Sequence, residues 1–250
     1  MSLSIKLGNF LYKHAFVLYK PMYALFKNKQ DAFEIALLRK HIQQGDTILD
    51  IGANIGYYAK ILSHITGPRG QVHCFEPDPD NFKHLTRACG QLKNVFLNQA
   101  AAGPRTETLK IYKSKQLNVD HRTYQPEEYD EVLDVKALSV DDYVKQQQVQ
   151  KVDFIKMDIQ GFEMQAFNGM KETLQRYPAL NMISEFWPYG LKKAGSSVSE
   201  YFQALQNEGF RCYLLEHKSL VPLTAEKVHA ISELGEEHYF NIFATRQHVH

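Results

Sequence analysis

The sequence predicts an α/β protein: a seven-stranded, mostly parallel sheet with helices on both faces, entered through an N-terminal helical arm. Three observations predict it. The first is a strand–turn–helix unit at residues 46–58. There the apolar run Ile48-Leu49 with Ile51 passes through Gly52, Asn54 and Gly56 into Tyr57, Ile61, Leu62 and Ile65 at helical spacing. The second is the rhythm that follows, in which short apolar runs at 71–75, 95–98, 152–157 and 180–184 mostly alternate with helical segments, as in βαβ units. The third is the ending: strands at 210–215 and 239–245, with no helix between them long enough for another crossover. The 46–58 unit is the opening of a Rossmann-like nucleotide-binding sheet.

Residues 1–30 form the arm. They carry Lys6, Lys13, Lys20, Lys27 and Lys29 and no acid. The first four recur every seven residues, a slowly drifting stripe on a helix, with Leu3, Leu7, Phe10, Phe16, Leu18, Met22 and Leu25 opposite. Pro21 is expected to end one helix and begin a second. A basic amphipathic arm either packs on its own domain or on a second subunit, as a homodimer, or lies on an anionic membrane surface. The spread of apolar residues around more than one face favours packing.

Residues 31–44 read as a lead-in helix with Phe33, Ala36, Leu37 and Ile42 inward, so that segment 1–44 precedes a sheet domain at 45–250. The helix after the glycine turn stops at Gly67-Pro68-Arg69-Gly70. Strand 71–75 ends at Glu76, and Asp78-Pro79 supplies an N-cap and a first-turn proline for a helix to about Leu92. Strand 95–98 ends at Asn98-Gln99-Ala100. Residues 104–138 break the rhythm. Runs 106–112 and 132–138 alternate as a hairpin, and the polar stretch 113–131 between them reads as a flap over the site. Ser139 caps a short helix to about Gln147. The fourth strand, 152–157, ends at Asp158; a helix opens at Gly161; the fifth strand ends at Glu185, followed by Phe186-Trp187-Pro188-Tyr189. Residues 216–238 form a polar excursion with no assigned element.

The turn chemistry separates two classes of ligand. Dinucleotide sites use G-x-G-x-x-G with a pyrophosphate on the helix N-terminus. Here the pattern is D-x-G-x-N-x-G, from Asp50 to Gly56, with no G-x-G. Side chains at 52 and 56 would block close backbone approach, and Asn54 tolerates positive φ. The carboxylate of Asp50 suits a ligand with an ammonium group, which points to S-adenosylmethionine. Glu76 falls where ribose hydroxyls are held, and Gln99 and Ala100 fall where a side-chain amide and a backbone N–H can read an adenine edge.

Asp50-Ile-Gly-Ala-Asn-Ile-Gly56, Phe75-Glu-Pro77 and Lys156-Met-Asp-Ile-Gln-Gly-Phe-Glu163 together resemble the FkbM family of S-adenosylmethionine-dependent O-methyltransferases, over roughly residues 45–246. The resemblance implies a class I methyltransferase fold, methyl transfer to a hydroxyl, and a glycan, sugar or natural-product acceptor. It also shows one departure: the family usually has Glu where this chain has Gln160.

Methyl transfer to oxygen is an in-line displacement that needs aligned atoms and a positioned base. Asp158 is the leading candidate base, beside the amino-acid end of the cofactor; Glu185 is second and His121 third. Trp187 and Tyr189 are candidates to stack on the acceptor. No metal ligand set is expected. Asp158 and Glu185 form a pair that a divalent ion could bridge, but Gln160 removes a third ligand, and the remaining histidines lack metal-ligand spacing.

The net charge of +1 argues against a general nucleic-acid surface. Cys74, Cys89 and Cys212 form no C-x-x-C, and no apolar run of membrane-spanning length or signal-peptide pattern is present. A cytoplasmic setting is expected, with peripheral contact to the inner face of a membrane as an option for the arm. The competing readings are an NAD-dependent oxidoreductase on the same type of fold and a membrane-associated, non-catalytic binding protein.

Overall fold

The computed structural model describes residues 8, 10–12, 14–114, 121–122, 129–216 and 218–247. The chain runs α1 (Phe16–Gln30), α2 (Ala32–His41), β1 (Thr47–Ile51), α3 (Tyr57–Thr66), β2 (Gln71–Phe75), α4 (Pro79–Cys89) and β3 (Val95–Asn98). It continues through β4 (Ala101–Ala102), β5 (Glu107–Ser114), β6 (His121–Arg122), β7 (Tyr129–Leu138), α5 (Val140–Gln146) and β8 (Phe154–Met157). The remainder is α6 (Glu163–Asn168), α7 (Lys171–Arg176), β9 (Asn181–Phe186), α8 (Pro188–Lys193), α9 (Val198–Asn207), β10 (Arg211–Glu216), β11 (Ser219–Pro222), α10 (Ala225–Ser232) and β12 (Phe240–Thr245).

The main sheet has eight strands in the order β11-β10-β12-β9-β8-β1-β2-β3. Strands β9, β8, β1, β2 and β3 are parallel, whereas β12, β10 and β11 run antiparallel to their neighbours. β1 pairs with β2 on one side and β8 on the other, so the chain reverses its direction of winding beside β1. That switch point is where open α/β sheets bind ligands. Seven strands are expected from the sequence; the eighth, β11, lies inside the polar excursion. Its four residues form an edge strand on β10 that ends in Pro222, a residue that only an edge accommodates.

β1 is buried along its whole length because helices cover both faces. Leu49 and Ile51 join one apolar core with Phe167, Tyr201 and Leu205; Ile48 joins the other with Leu38, Leu62 and Leu85. The lead-in helix is rotated from the expected face: Ile35, Leu37, Leu38 and the charged Glu34 point inward, and Ala36 is exposed. Strands β4, β5, β6 and β7 form a second sheet, ordered β4-β7-β5-β6. Residues 115–120 and 123–128 of the expected flap lie outside the described residues.

The arm packs on its own domain through aromatic rings. Phe16 stacks on His84 at 3.5 Å between centroids, the Tyr12 hydroxyl donates to Asn81 at 2.6 Å, and Tyr57 donates to Asn28 at 2.7 Å. Pro21 does not break the helix. The break falls at Ala15 (φ −144°, ψ 52°), which restarts the helix so that Pro21 sits in its second turn. There its missing N–H costs a single backbone bond on a side facing solvent. The lysine stripe is also placed differently from expectation. Lys27 turns inward to pair with Asp31, while Leu18, Met22 and Leu25 face outward. Lys6, Lys13, Leu3 and Leu7 lie outside the described residues.

Candidate active site

Four carboxylates from four parallel strands converge beyond the carboxyl ends of the sheet, and local backbone chemistry places each one. Asp50 is the fourth residue of β1 and is fully buried, with both carboxylate oxygens lacking a hydrogen-bond partner among the described residues. Its register neighbour on β8 is Lys156, on the same face of the sheet. Burial pushes the Asp50 carboxyl up to about 6, with Lys156 pulling down and Asp158 pushing up. A buried carboxylate with open lone pairs is costly, and a cation beside it would offset that cost.

Gly52 adopts φ 86°, and a Cβ there would run into the backbone carbonyl of Asp158. Clearance for a ligand alone is therefore too narrow an account of this glycine: it lets the loop after β1 press against the loop after β8. Asn54 sits at φ 50°, as expected from its position, and its N–H donates to Glu76 Oε2 at 2.8 Å. Gly56 caps α3 in the left-handed region, with Leu85 and Cys89 packed against it. Glu76 Oε1 accepts from the Asp78 N–H at 2.9 Å, and the Asn81 side chain is a further hydrogen-bond partner of the carboxylate. Burial pushes Glu76 up to about 8, against these two N–H donors.

The adenine side is less built. Gln99 is exposed, Ala100 packs in the core with Phe75 and Tyr143, and Asn98 donates to the Cys74 carbonyl at 3.0 Å. Lys113 of β5 reaches Asp80 at 2.7 Å and Asp78 at 3.2 Å, which ties the small sheet beside Glu76. His121 falls on β6 opposite Lys113; its side chain lies outside the described residues.

Asp158 and Glu185 are brought together by a residue that sequence reasoning set aside. Gln160 adopts φ 58°, and its Nε2 donates to Asp158 Oδ1 at 3.2 Å and Glu185 Oε1 at 3.4 Å. The loop is forced into this shape because Gly161 (φ 98°) packs directly on the backbone of Gly190. Glu163 anchors it by accepting the Ile159 N–H at 3.0 Å. The amide thus offers protons to the space between the two carboxylates, where a metal would need lone pairs. Among the described residues, no group of three or more His, Cys, Asp and Glu could hold a metal ion.

Lys156 is the second residue that sequence reading missed. Its Nζ lies 3.6 Å from Asp158 Oδ2 and 4.4 Å from the centroid of the Tyr58 ring. Burial alone would lower the ammonium, but Asp158, Asp50 and Glu34 overcome it and raise it. Glu34, buried on α2, accepts from Asn241 at 2.7 Å. A lysine in the apolar run Phe154-Ile-Lys-Met157 was the available signal. The arm closes this network: burial, and then the Asp158 carboxylate, push the Tyr23 phenol up.

Trp187 does not present a stacking face. Its indole is buried against Gly190, and its N–H donates to the Glu236 carbonyl at 2.9 Å. Tyr189 is half-buried, 5.6 Å from the Trp187 ring, and is the accessible aromatic of the pair.

The site therefore combines an orphaned buried carboxylate, a buried acid at the end of the next strand, and a bridged carboxylate pair of which Asp158 is partly exposed and Glu185 buried. The family model described as the methyltransferase FkbM domain matches residues 50–212, more than half of the chain. This chain belongs to the FkbM methyltransferase family. Two relatives are the 2-O-methyltransferase NoeI of Sinorhizobium fredii, 28% identical over 144 residues and 52% of this chain, and the hexuronic acid methyltransferase AglP of Haloferax volcanii, 29% identical over 155 residues and 60% of this chain. The match spans 59% of the length of each relative. A Streptococcus mutans protein solved in complex with SAH shares the fold: TM-score 0.50, 11% identity, 85% of this chain and 94% of that one. S-adenosylmethionine is the cofactor of such methyltransferases, and the FkbM site described above fits it. Asp50, Asp158 and Glu185 outnumber Lys156 there, and the excess negative charge suits a cofactor that carries an ammonium and a sulfonium.

The burial of Asp50 and Glu76 has a measurable consequence. Both are acids whose folded pKa lies above the ordinary value, at about 6 against 3.8 and about 8 against 4.5. Between those limits the folded state binds more protons than the unfolded chain, so stability falls as pH rises. The melting temperature of the ligand-free protein is expected to decline from pH 5 towards pH 8, with saturating S-adenosylmethionine reducing the decline. Differential scanning calorimetry across that range checks it; a ligand-free profile that rises with pH would contradict the site electrostatics.

Proposed function

We propose that this protein is an S-adenosylmethionine-dependent O-methyltransferase that methylates a hydroxyl of a sugar or glycan. The observation that carries the reading is Asp50: a fully buried carboxylate with two open oxygens, at the switch point, among further carboxylates. Such a site attracts a cationic cofactor and repels a pyrophosphate. The names of the two relatives support a sugar hydroxyl as the acceptor.

Bound there, S-adenosylmethionine supplies an electrophilic methyl group on a sulfonium. Asp50 and Asp158 neutralise its positive charges, and Glu76 holds the ribose. Asp158, partly exposed where an acceptor arrives, takes or orients the hydroxyl proton. Gln160 fixes the direction of that carboxylate by donating to it, and couples it to Glu185. Tyr189 offers a ring face to the acceptor. The free, buried Cys74, Cys89 and Cys212 support a reducing, cytoplasmic setting as part of the same reading. Among the described residues, no helix is long and apolar enough to cross a membrane.

The test is transfer of radiolabelled methyl from S-adenosylmethionine to a panel of nucleotide sugars, oligosaccharides and uronic acids, followed by mass spectrometry of the product. Label on a sugar oxygen is expected. Label only on nitrogen or carbon acceptors would overturn the O-methyl assignment.

A further inference from the structure

Lys156 is a buried ammonium at the site for which cofactor binding supplies no task. It stands on β8 opposite Asp50 of β1 and two residues before Asp158, so the three share one face of the sheet. A cation out of water needs an anion. The carboxylates near it are not equivalent. Asp50 leaves both oxygens without a hydrogen bond among the described residues, and Glu34 Oε2 accepts from Asn241 at 2.7 Å. The one ion pair that Lys156 makes among the described residues is with Asp158 Oδ2, at 3.6 Å. The other oxygen of that carboxylate, Oδ1, accepts from Gln160 at 3.2 Å. Both oxygens are thus held from the protein side, while 41% of the Asp158 side chain stays exposed. The ammonium is itself seated. It lies 4.4 Å from the centroid of the buried Tyr58 ring, within cation–π range. The Tyr58 hydroxyl donates to Asp31 at 2.7 Å, and Asp31 pairs with Lys27 of α1. A flexible four-carbon stem is therefore fixed by a ring on one side and a carboxylate on the other.

We infer that Lys156 is a positioning residue for methyl transfer: with Gln160 on Oδ1, its ammonium on Oδ2 keeps the Asp158 carboxylate ionised and turned toward the arriving hydroxyl. The inference rests on the reading of Asp158 as the base. Lys156 is not the base itself, because Asp158, Asp50 and Glu34 together outweigh burial and raise its ammonium, which leaves the proton on nitrogen at neutral pH. The groups around Asp158 make such a cation necessary. Asp50 of β1, Glu34 of α2, Glu163 of α6 and Glu185 of β9 are all buried acids on the elements packed about it, and like charges disfavour ionisation. The phenols on the same side, Tyr23 and Tyr58, are both raised by burial and carry no charge. Lys27 is engaged by Asp31, so Lys156 is the cation in ion-pair contact with the base.

The experiment follows kcat against pH in the full chain at saturating S-adenosylmethionine, with the sugar acceptor found in the labelling panel. Wild type, Lys156→Met, Lys156→Arg and Asp158→Asn are compared, with folding checked by circular dichroism. Saturation confines the ionisation of Asp50 to cofactor affinity, which calorimetry measures separately. Lys156→Met keeps the length of the side chain and removes the charge. Its acid limb is expected to move up by about 1–3 pH units, the effect of losing an opposite charge at this range, and its turnover to recover on the alkaline side. Lys156→Arg keeps the charge and is expected to keep the limb where wild type has it. A merely structural role would lower turnover by the same factor at every pH. An unmoved limb in Lys156→Met would overturn the inference. If Lys156→Met does not fold, Lys156→Arg decides: a limb in place supports the inference, and a limb displaced upward overturns it. Asp158→Asn separates this role from the reading beneath it. Normal turnover in Asp158→Asn would overturn the base assignment and the role of Lys156 with it. A large loss in Asp158→Asn beside an unmoved limb in Lys156→Met would overturn the role of Lys156 alone.

Discussion

Asp158→Asn is expected to lower turnover by about 10²–10⁴-fold at saturating S-adenosylmethionine, the range that general-base catalysis contributes. The substitution keeps the shape of the side chain and one acceptor oxygen. It removes the charge that faces Lys156 and that a hydroxyl proton would meet. The bridge from Gln160 makes the comparison with Glu185→Gln informative. Glu185 is buried behind the same amide, so its loss is expected to be smaller and to arise from misdirection of Asp158. Steady-state kinetics of the two variants, with cofactor affinity measured separately, decide the matter. Near-normal turnover for Asp158→Asn alongside a large loss for Glu185→Gln would move the base to the fifth parallel strand and leave Asp158 as a cofactor ligand.

Asp50→Asn is expected to act on binding instead. A charge-assisted contact in a buried setting contributes about 1.5–3 kcal/mol, so cofactor affinity should fall roughly tenfold to a hundredfold. The sign on stability is opposite. The ligand-free protein holds Asp50 fully buried with both oxygens unpaired. A neutral amide removes the cost of a buried charge, so the variant should melt no lower than wild type at pH 8. Calorimetry of binding and of unfolding on the same samples checks both halves. A variant that loses stability but keeps its affinity would show that Asp50 serves the fold rather than the cofactor.

What was legible in the sequence follows from where each interaction is decided. Asp50, Glu76, Asp158 and Glu185 were readable because each ends or interrupts a short apolar run, and a parallel sheet carries all such ends to one edge. Gln160 was not readable, because its left-handed conformation depends on Gly161 meeting Gly190, a contact between loops of different strands. Lys156 and Glu34 escaped for the same reason: their partners, including Asn241 some two hundred residues from Glu34, are assembled only by the fold. The arm shows a further limit. Periodicity found an amphipathic helix, but the docking face was chosen by His84, Tyr57 and Asp31, which draw in Phe16, Tyr23 and Lys27 and leave the leucines outside. Trp187 looked like a stacking platform because it leaves a strand end, yet its N–H is satisfied by a loop carbonyl and its ring by Gly190.

We propose that the loop from Asp50 to Gly56 holds a cationic methyl donor rather than a dinucleotide. Isothermal titration calorimetry of the full chain with S-adenosylmethionine and, in parallel, with NAD tests it most directly. The account predicts saturable binding of S-adenosylmethionine that strengthens as pH rises through about 6, as Asp50 ionises, and no binding of NAD. Saturable NAD binding with no heat from S-adenosylmethionine would contradict it.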